Sequence, residues 1–171
     1  FCKKNLANLR KKAMSSSSLD QALNKLLEKV GQPVSKSHWF KVTQALINQY
    51  ADVSRDHQWI HVDPERAKKE SPYGDAIAHG NLTLALIGHL PEIEGYGMPV
   101  LEGKKLGINY GFNRIRFPAP VPVGSFIRSK GLLKSAEIKG GMIETITEIT
   151  VEVKGNQKPV CVAEKVGRIV F

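Results

Sequence analysis

The chain has few cysteines and no long hydrophobic run. Two cysteines among 171 residues cannot form a disulfide framework, and a reducing cytoplasm is the simplest compartment. No apolar stretch approaches the roughly 18 or more residues of a membrane span. The basic start also lacks the apolar core and cleavage site of a signal peptide. These absences favour a cytoplasmic protein without a membrane span.

Acidic residues are missing from residues 1–13, which carry five of the nine net positive charges. We therefore interpret residues 1–18 as a basic extension and linker, and residues 19–171 as a single domain of a size that can bury a core. No nucleic-acid-binding module accompanies the charge, which argues against nucleic acid as a partner. The modestly basic body suits a polyanionic small molecule such as coenzyme A.

The first half of the chain shows helical patterns. A helix is predicted from residue 19, with Ser18 as its cap, Gln21 at the capping-box position and Gly31 at its end. Residues 38–42 read as a short strand after a connection that begins at residue 33. Thr43 is a good N-cap for a second helix that runs to about residue 53.

A polar segment follows, and then an apolar one. Asp63 and Pro64 read as the N-cap and first residue of a short helix over residues 64–69. The segment from His79 to Leu90 has apolar residues on every side of a helical wheel. That distribution is typical of a buried helix.

The second half alternates between apolar and polar residues with the period of a strand. The alternation changes phase near Asn113, which indicates a bulge. Gly140-Gly141 and Gly155-Asn156 predict tight turns between consecutive strands. Strands so joined form an antiparallel sheet. The predicted strands cover residues 106–117, 125–136, 143–153 and 160–170. One all-round apolar helix before this sheet indicates that the sheet wraps around it.

Short motifs between residues 50 and 121 resemble a known family. They are Tyr-Ala-x-x-Ser-x-Asp at 50–56, Gln-Trp-Ile-His-Val-Asp-Pro at 58–64, Ala-His-Gly at 78–80, Asn-Tyr-Gly at 109–111 and Arg-Phe-Pro-Ala-Pro-Val at 116–121. This set resembles the MaoC-like dehydratases, also called (R)-specific enoyl-CoA hydratases, in particular their nodulation-protein-N-like branch. The resemblance implies an α+β hot-dog fold, a curved antiparallel sheet around a central helix. It also implies a homodimer and no cofactor beyond coenzyme A as part of the substrate.

By this resemblance Asp56 and His61 match the family's catalytic pair, and Gly80 matches the glycine whose backbone N–H polarises the thioester carbonyl. Hydration of an enoyl thioester needs a water that loses a proton, a proton for C2 and stabilisation of the enolate oxygen. An acid, an imidazole and a helix N-terminus can meet these needs. The expected activity is (R)-specific hydration of trans-2-enoyl thioesters, or the reverse dehydration, with a coenzyme A or carrier-protein thioester in fatty acid metabolism.

The chain departs from the usual family pattern beside the pair. Arg55 replaces a glycine before Asp56, and we expect its side chain to point to solvent. Gln58-Trp59 replaces Asn-Pro, and the amide of Gln58 can orient the carboxylate. Gln58, His79 and Asn81 are predicted to contribute to the oxyanion or substrate site.

Several residues near the pair also have structural interpretations. His79 can simply cap the helix or support the loop, and Asn81 and Thr83 can be hydrogen-bonded packing residues. His57 and His61 with Asp63 have metal-ligand types, but neither a third histidine nor a cysteine is near in sequence, and no metal is expected. Arg116, Lys104 and Lys105 can meet phosphates, although solvated charge is the default. Cys161 lies in a strand and reads as a core thiol.

Two other functions use similar residues. A hot-dog thioesterase would bind the same ligands and direct water to the carbonyl carbon. A non-catalytic acyl-thioester binding protein would bind without turnover, but it has no need of a matched acid and base.

Overall fold

The computed structural model describes residues 17–90 and 92–171. The predicted basic extension lies outside the described residues, apart from its last two positions. Within the described chain, no helix has the length and apolar character needed to cross a membrane.

The described residues form five helices and six strands, and the four long strands come last. The helices are α1 (Ser18–Leu27), α2 (Gln44–Ser54), α3 (Trp59–Val62), α4 (Pro64–Glu70) and α5 (Gly80–Leu86). The strands are β1 (Pro33–Lys36), β2 (Phe40–Lys41), β3 (Leu106–Arg116), β4 (Phe126–Lys139), β5 (Met142–Val153) and β6 (Cys161–Val170).

The strands form one antiparallel sheet in the order β1-β4-β5-β6-β3, with β2 also paired to β4. The predicted antiparallel sheet and its four long strands are therefore confirmed. The predicted turns are confirmed too, since Gly140, Gly141 and Gly155 have φ angles of 60°, 76° and 84°, which suit glycine. Strand β3 lies at one edge of the sheet.

The predicted bulge in β3 is confirmed, because the register against β6 shifts between Phe112 and Arg114. A second shift lies between Asn109 and Gly111, which the sequence pattern did not indicate. Each extra residue changes which side chains face the core. Ile115 consequently packs against the core, whereas Tyr110 is exposed.

Three local predictions were wrong in detail. Ser17, not Ser18, caps α1, and Asp20, not Gln21, completes the capping box. The strand expected over residues 38–42 is only two residues long. The segment from Pro33, expected to be a connection, forms β1, where proline takes the first position because it needs no ladder N–H there. The predicted caps Thr43 and Asp63 are confirmed, as their side chains accept bonds from Leu46 N and Arg66 N.

One face of the sheet, here called the inner face, carries the core. Alternate residues of β4, β5 and β6 point to it, and they pack in two groups. The α5 cluster joins Leu82 and Ile87 to sheet residues such as Ile149. The α1 cluster joins Ala22 and Leu26 to sheet residues such as Leu133. Cys161 is fully buried in the α5 cluster, and burial raises the pKa of its thiol to about 11, as expected of a core thiol.

Helix α5 is shorter than predicted. It ends at Leu86, and Gly88 adopts a positive φ of 81° in the turn that follows. Leu82 and Thr83 are buried, whereas Asn81 and Ala85 are exposed. The apolar residues on every side of this helix predicted that it would be fully buried. Within one chain it is only partly buried, and one of its sides remains uncovered.

Candidate active site

His61 lies on the single turn of α3 and is buried, with 7% of its surface exposed. Its Nδ1 donates a hydrogen bond to the Ile77 carbonyl over 2.7 Å. A neutral imidazole with a proton on Nδ1 has a lone pair on Nε2. Burial lowers the pKa of His61, outweighing the effect of the Ile77 carbonyl, which raises it. The geometry thus favours a neutral histidine whose Nε2 can accept a proton.

Asp56 follows the C-terminus of α2. Arg55 caps that helix in the left-handed conformation, with φ of 63°, and turns the chain toward the site. The Arg55 side chain is exposed, as expected. The Asp56 carboxylate accepts a long bond from the Gln58 N–H at 3.4 Å, and its side chain remains 55% exposed. The carboxylate is therefore open to solvent and to ligands.

His79 lies between these two residues and is almost fully buried, with 3% of its surface exposed. Its Nε2 donates to the Asp56 backbone carbonyl over 2.9 Å, and it lies 4.0 Å from Asp56 Oδ2. Its ring stacks on that of His61, with the two ring centroids 3.8 Å apart. The Tyr50 ring packs beside the His79 ring, with a centroid distance of 5.0 Å. The Nδ1 atom of His79 has no partner within the described residues.

The three side chains converge. One oxygen of Asp56 and one ring nitrogen each from His61 and His79 all lie within 4.8 Å of one another. The residue types would suit a metal ion, but His61 Nδ1 and His79 Nε2 are both bonded to carbonyls. Each histidine therefore keeps one ring nitrogen for a further partner. A carboxylate beside two such imidazoles can take up and release protons.

Gly80 is the first residue of α5 and packs against Phe117. A Cβ placed on Gly80 would lie 2.9 Å from the Phe117 ring, closer than real Cβ atoms approach. The first N–H groups of a helix have no intrahelical acceptor, and the preceding residue, His79, offers no side-chain cap. Backbone donors at this position are therefore available to a ligand.

Three hydrogen bonds close the chain between Asp56 and His79, here called the 56–79 loop. His79 bonds to the Asp56 carbonyl, and His61 bonds to the Ile77 carbonyl. The Ile77 N–H in turn donates to the Ile60 carbonyl over 3.0 Å. Residues far apart in sequence are thereby fixed beside one another.

The other predicted site residues lie around this centre, and within the described residues none of their side chains bonds to the side chain of Asp56, His61 or His79. The Gln58 side chain is exposed and has no hydrogen bond within the described residues; only its backbone N–H reaches Asp56. Asn81 is exposed on α5, while Thr83 is buried and bonds to the His79 carbonyl at 3.4 Å. His57 turns away and pairs with Asp52 at 2.9 Å.

Sequence reasoning missed the supports of the site. Gln44 Nε2 donates to the His61 carbonyl over 2.7 Å from the first turn of α2. Tyr50 and Phe117 pack against His79 and Gly80. Tyr50 and Phe117 lie within the motifs that carried the resemblance, and only their presence in those motifs could have indicated that they belong to the site. Gln44 lies outside those motifs and gave none.

Comparison with known proteins decides the family. A family model described as MaoC like domain matches residues 25–155, most of the chain. The chain belongs to the MaoC-like domain family. The predicted family is confirmed, and with it the prediction of an enzyme of the dehydratase type.

Curated relatives of this MaoC-like protein cover most of its length. It is 50% identical over 141 residues to a protein of Mycobacterium tuberculosis named 3-hydroxyacyl-thioester dehydratase Z, a match that covers 82% of this chain and 90% of that one. It is 44% identical over 135 residues to nodulation protein N of Rhizobium meliloti, covering 78% and 82% of the two chains. The predicted branch is therefore confirmed.

Solved structures show the same fold for this MaoC-like protein. A MaoC-like dehydratase from Rhodospirillum rubrum matches with a TM-score of 0.65 at 21% identity, over 83% of this chain and 92% of that one. An (R)-hydratase from A. caviae matches with a TM-score of 0.57 at 22% identity, over 81% and 94%. The predicted hot-dog fold is confirmed.

Proposed function

We propose that this enzyme adds water to trans-2-enoyl thioesters to give (R)-3-hydroxyacyl thioesters, or removes it in reverse, with Asp56 and His61 as the catalytic pair. One observation carries the proposal: the hydrogen bond from His61 Nδ1 to the Ile77 carbonyl leaves Nε2 as a base, on a ring that has a nitrogen within 4.8 Å of an oxygen of the Asp56 carboxylate. The relative named 3-hydroxyacyl-thioester dehydratase Z supports the reaction class.

In the hydration direction one water molecule supplies both added groups. The carboxylate of Asp56 and Nε2 of His61 bind this water and remove a proton, and its oxygen forms the bond to C3 of the thioester. The π electrons of the double bond move to the carbonyl oxygen as an enolate, which then collapses as C2 takes up the proton. One water is consumed, and no oxidant or reductant is needed. Dehydration runs through the same groups in the opposite order.

The backbone N–H of Gly80 is proposed to stabilise the enolate oxygen. A donor that is already oriented toward developing negative charge costs no reorganisation during the reaction. The close approach of Phe117 to Gly80 fixes this donor and excludes a side chain where the thioester carbonyl would lie. Asn81, exposed in the next position, would line the same entrance.

The thioester carrier is proposed to be coenzyme A or an acyl carrier protein. Arg114 and Arg116 line a cavity of about 460 Å³ that also contacts Phe117. Among the described residues, the Arg116 guanidinium bonds only to the carbonyl of Ile115 on its own strand, so it remains able to contact a phosphate. Lys105 is less suited, because its ammonium already donates to the Phe171 carbonyl at 3.1 Å. No further cofactor is proposed.

A homodimer is proposed on the basis of β3. This strand lies at an edge of the sheet, and its large apolar side chains Leu106, Ile108, Tyr110 and Phe112 are all exposed. Exposed apolar edge strands promote pairing between chains. A second copy paired through β3 would cover these residues and extend the sheet.

The proposed function is tested by two assays run together on crotonyl-CoA and on a longer 2-enoyl-CoA. Loss of the enoyl-thioester absorbance reports hydration, and release of thiol reports hydrolysis. Asp56→Asn and His61→Ala are each expected to lower turnover by about 100-fold or more, the range of general acid–base catalysis. Absorbance loss without thiol release is the expected result.

The chain offers a matched control in the Asp52–His57 pair. These residues also form a close aspartate–histidine contact, but both side chains are more than half exposed. Asp52→Asn and His57→Ala should therefore keep near-normal turnover. Normal activity in Asp56→Asn or His61→Ala would refute the catalytic pair. Thiol release would identify a thioesterase, and binding without turnover of either substrate would identify an acyl-thioester binding protein.

A further inference from the structure

A second cavity, of about 420 Å³, lies on the inner face of the sheet beyond the C-terminal end of α5. Its walls come from both core clusters, with Ile87, Leu90 and Ile149 from the α5 cluster and Val34, Leu101 and Ile169 from the α1 cluster. The two clusters therefore do not close against each other completely. The space between them is large enough for part of a ligand.

Lys165 is a cation on this face, which otherwise carries apolar side chains and hydroxyl side chains such as Ser129 and Thr147. It lies on β6 directly opposite Thr147 of β5, and two residues from Ala163 and Gly167. Residues that alternate along a strand, and residues opposite each other on neighbouring strands, share a face. Ala163 belongs to the α5 cluster, so Lys165 shares the inner face, where it lines the cavity.

The Lys165 ammonium has neither an ion pair nor a hydrogen bond within the described residues. Burial lowers the pKa of this lysine, as it does for a cation without a partner. Glu92 is an acid that lines the same cavity, but it is exposed and does not reach Lys165. Arg168, also in the wall, is already paired with Glu144 at 2.9 Å. Lys104, a third cation in the wall, is exposed to solvent. Among the described residues that line this cavity, Lys165 is therefore the partly buried cation without a partner.

The position of Lys165 relative to the catalytic centre follows from α5. A Cβ on Gly88 would lie 3.7 Å from the Lys165 ammonium. Gly88 follows Gly80, the first residue of α5, by eight positions. The six helical steps from Gly80 to Leu86 rise about 9 Å, and the non-helical turn through Ile87 to Gly88 brings the separation to roughly 12 Å or slightly more. With carbon–carbon bonds of about 1.5 Å, a zigzag acyl chain of roughly ten carbons spans that distance.

We propose that this cavity receives the far end of the acyl group, and that Lys165 makes the enzyme prefer acyl thioesters that carry a carboxylate at that end. The inference rests on the proposed function, since it assumes that the thioester lies at Gly80. A carboxylate would neutralise Lys165 and supply a charge-assisted hydrogen bond. An unbranched alkyl end would leave the ammonium unpaired beside a hydrocarbon, which is unfavourable.

Lys165 also has a purely structural alternative. The ammonium lies near the turn after α5, where a cation interacts favourably with the partial negative charge of a helix C-terminus. In that case removal of the charge would change the stability of the protein and leave ligand preference unaltered. A ligand-binding measurement separates the two roles.

The experiment measures binding of two saturated thioesters by isothermal titration calorimetry. Decanoyl-CoA ends in a methyl group, and the mono-CoA thioester of decanedioic acid has the same length and ends in a carboxylate. The quantity compared is the dissociation constant of decanoyl-CoA divided by that of the carboxylate-ended thioester. We expect this ratio to be about tenfold larger in the wild-type protein than in Lys165→Met. Lys165→Arg, which keeps the charge, should retain most of the preference.

Lys134→Met is the control, because the Lys134 ammonium pairs with Glu148 at 3.7 Å, and Glu148 lies between the inward-facing Thr147 and Ile149 of β5, on the opposite face of the sheet. Its ratio of the two dissociation constants should equal that of the wild type. An equal ratio in the wild type and in Lys165→Met would overturn the inference, whatever happens to the unfolding temperature.

Turnover of the matching 2-enoyl thioesters separates this inference from the proposed function. If trans-2-decenoyl-CoA is hydrated but calorimetry shows no preference for the carboxylate-ended thioester, the role of Lys165 is refuted and the proposed hydratase function stands. A preference that depends on Lys165, without hydration of either thioester, would support the cavity and refute the hydratase.

Discussion

The imidazole rings of His61 and His79 lie face to face, with centroids 3.8 Å apart and planes inclined by 27°. Each ring donates one hydrogen bond to a backbone carbonyl, His61 to Ile77 and His79 to Asp56. His79 therefore fixes both members of the proposed catalytic pair, His61 through its ring and Asp56 through its backbone carbonyl. His79 thus acts as a positioning residue for His61 and for Asp56.

Replacement of His79 tests this positioning role. His79→Phe keeps an aromatic stack and loses the hydrogen bond to the Asp56 carbonyl. One lost hydrogen bond of about 1.4 kcal/mol corresponds to roughly tenfold in rate, so we expect kcat to fall about tenfold. The charge of His79 also lowers the pKa of His61, after the larger effect of burial. The acid limb of the pH–rate profile should therefore move to higher pH in this variant.

His79→Gln provides the comparison for that experiment, because an amide nitrogen can replace Nε2 as the donor to Asp56. It should recover more of kcat than His79→Phe does. A role limited to stability would lower the unfolding temperature in both variants without moving the pH–rate profile of either.

Gly80→Ala is expected to reduce activity through a clash with Phe117. The new Cβ would lie 2.9 Å from the ring, and overpacking of this kind costs typically about 1–3 kcal/mol. If the strain shifts the Gly80 N–H, kcat should fall by roughly 10- to 100-fold. Phe117→Leu in the same chain should restore part of the loss, as measured by hydration rates of the single and double variants.

Gly97→Ala is the control for this glycine, since a Cβ there would meet nothing within 4 Å. Its activity should be normal. A Gly80→Ala variant as active as Gly97→Ala would show that the close packing on Phe117 has no bearing on the reaction.

The pH dependence of activity follows from the burial of His61. Burial lowers the pKa of His61 below the usual value of 6.5, so the imidazole remains neutral and able to accept a proton at mildly acidic pH. The decline in the profile of kcat/KM, which reports the free enzyme, should be centred below pH 6.5. A decline centred above pH 6.5 would contradict this protonation state.

The same shift affects stability. Below pH 6.5 the unfolded chain protonates His61 while the native protein does not, so the unfolded state binds more protons. Stability then rises with pH in that range, and the contribution of neutral His61 is lost as the pH falls below about 6.5. His61→Gln should show a smaller loss of unfolding free energy than wild type between pH 7 and pH 5.5, in urea titrations at both values. His57→Gln, altered at an exposed site, should keep the wild-type loss.

Pairing through β3 is tested with Leu106→Asp. A charge on this exposed edge strand should oppose association, and sedimentation velocity should show a shift from dimer to monomer. Ile138→Asp is a suitable control, because Ile138 has a similar exposure, 42% against 48%, but lies near the β4–β5 turn. Dissociation by both variants, or by neither, would argue against β3 as the interface.

The sheet could be predicted from sequence because its signals are local. Alternation of period two identified the long strands, and glycine pairs located the turns between them. Strand β1 was missed because four residues, one of them Pro33, are too few to establish a period. Helix α5 was drawn too long because a helical wheel cannot distinguish burial within one chain from a face left open to solvent.

Asp56 and His61 were proposed as a catalytic pair only through resemblance. The positions of Asp56 and His61 are five residues apart, but nothing in that spacing indicates that the Ile77 carbonyl would fix the imidazole tautomer. The contacts of His79 with Asp56 and of Gln44 with His61 span 23 and 17 residues. Such contacts depend on how the elements pack, and a single sequence carries no direct signal for them.

The hydrogen bonds that close the 56–79 loop have a consequence for how this site can vary. They tie both ends of the loop to each other, and α4 lies between them with its own cap, Asp63, and its own Arg66–Glu70 ion pair. Residues can therefore be inserted or removed after α4, around Pro72 to Gly74, with little displacement of Asp56 and His61. The protein can accordingly acquire a new rim around the proposed site while these two side chains keep their places.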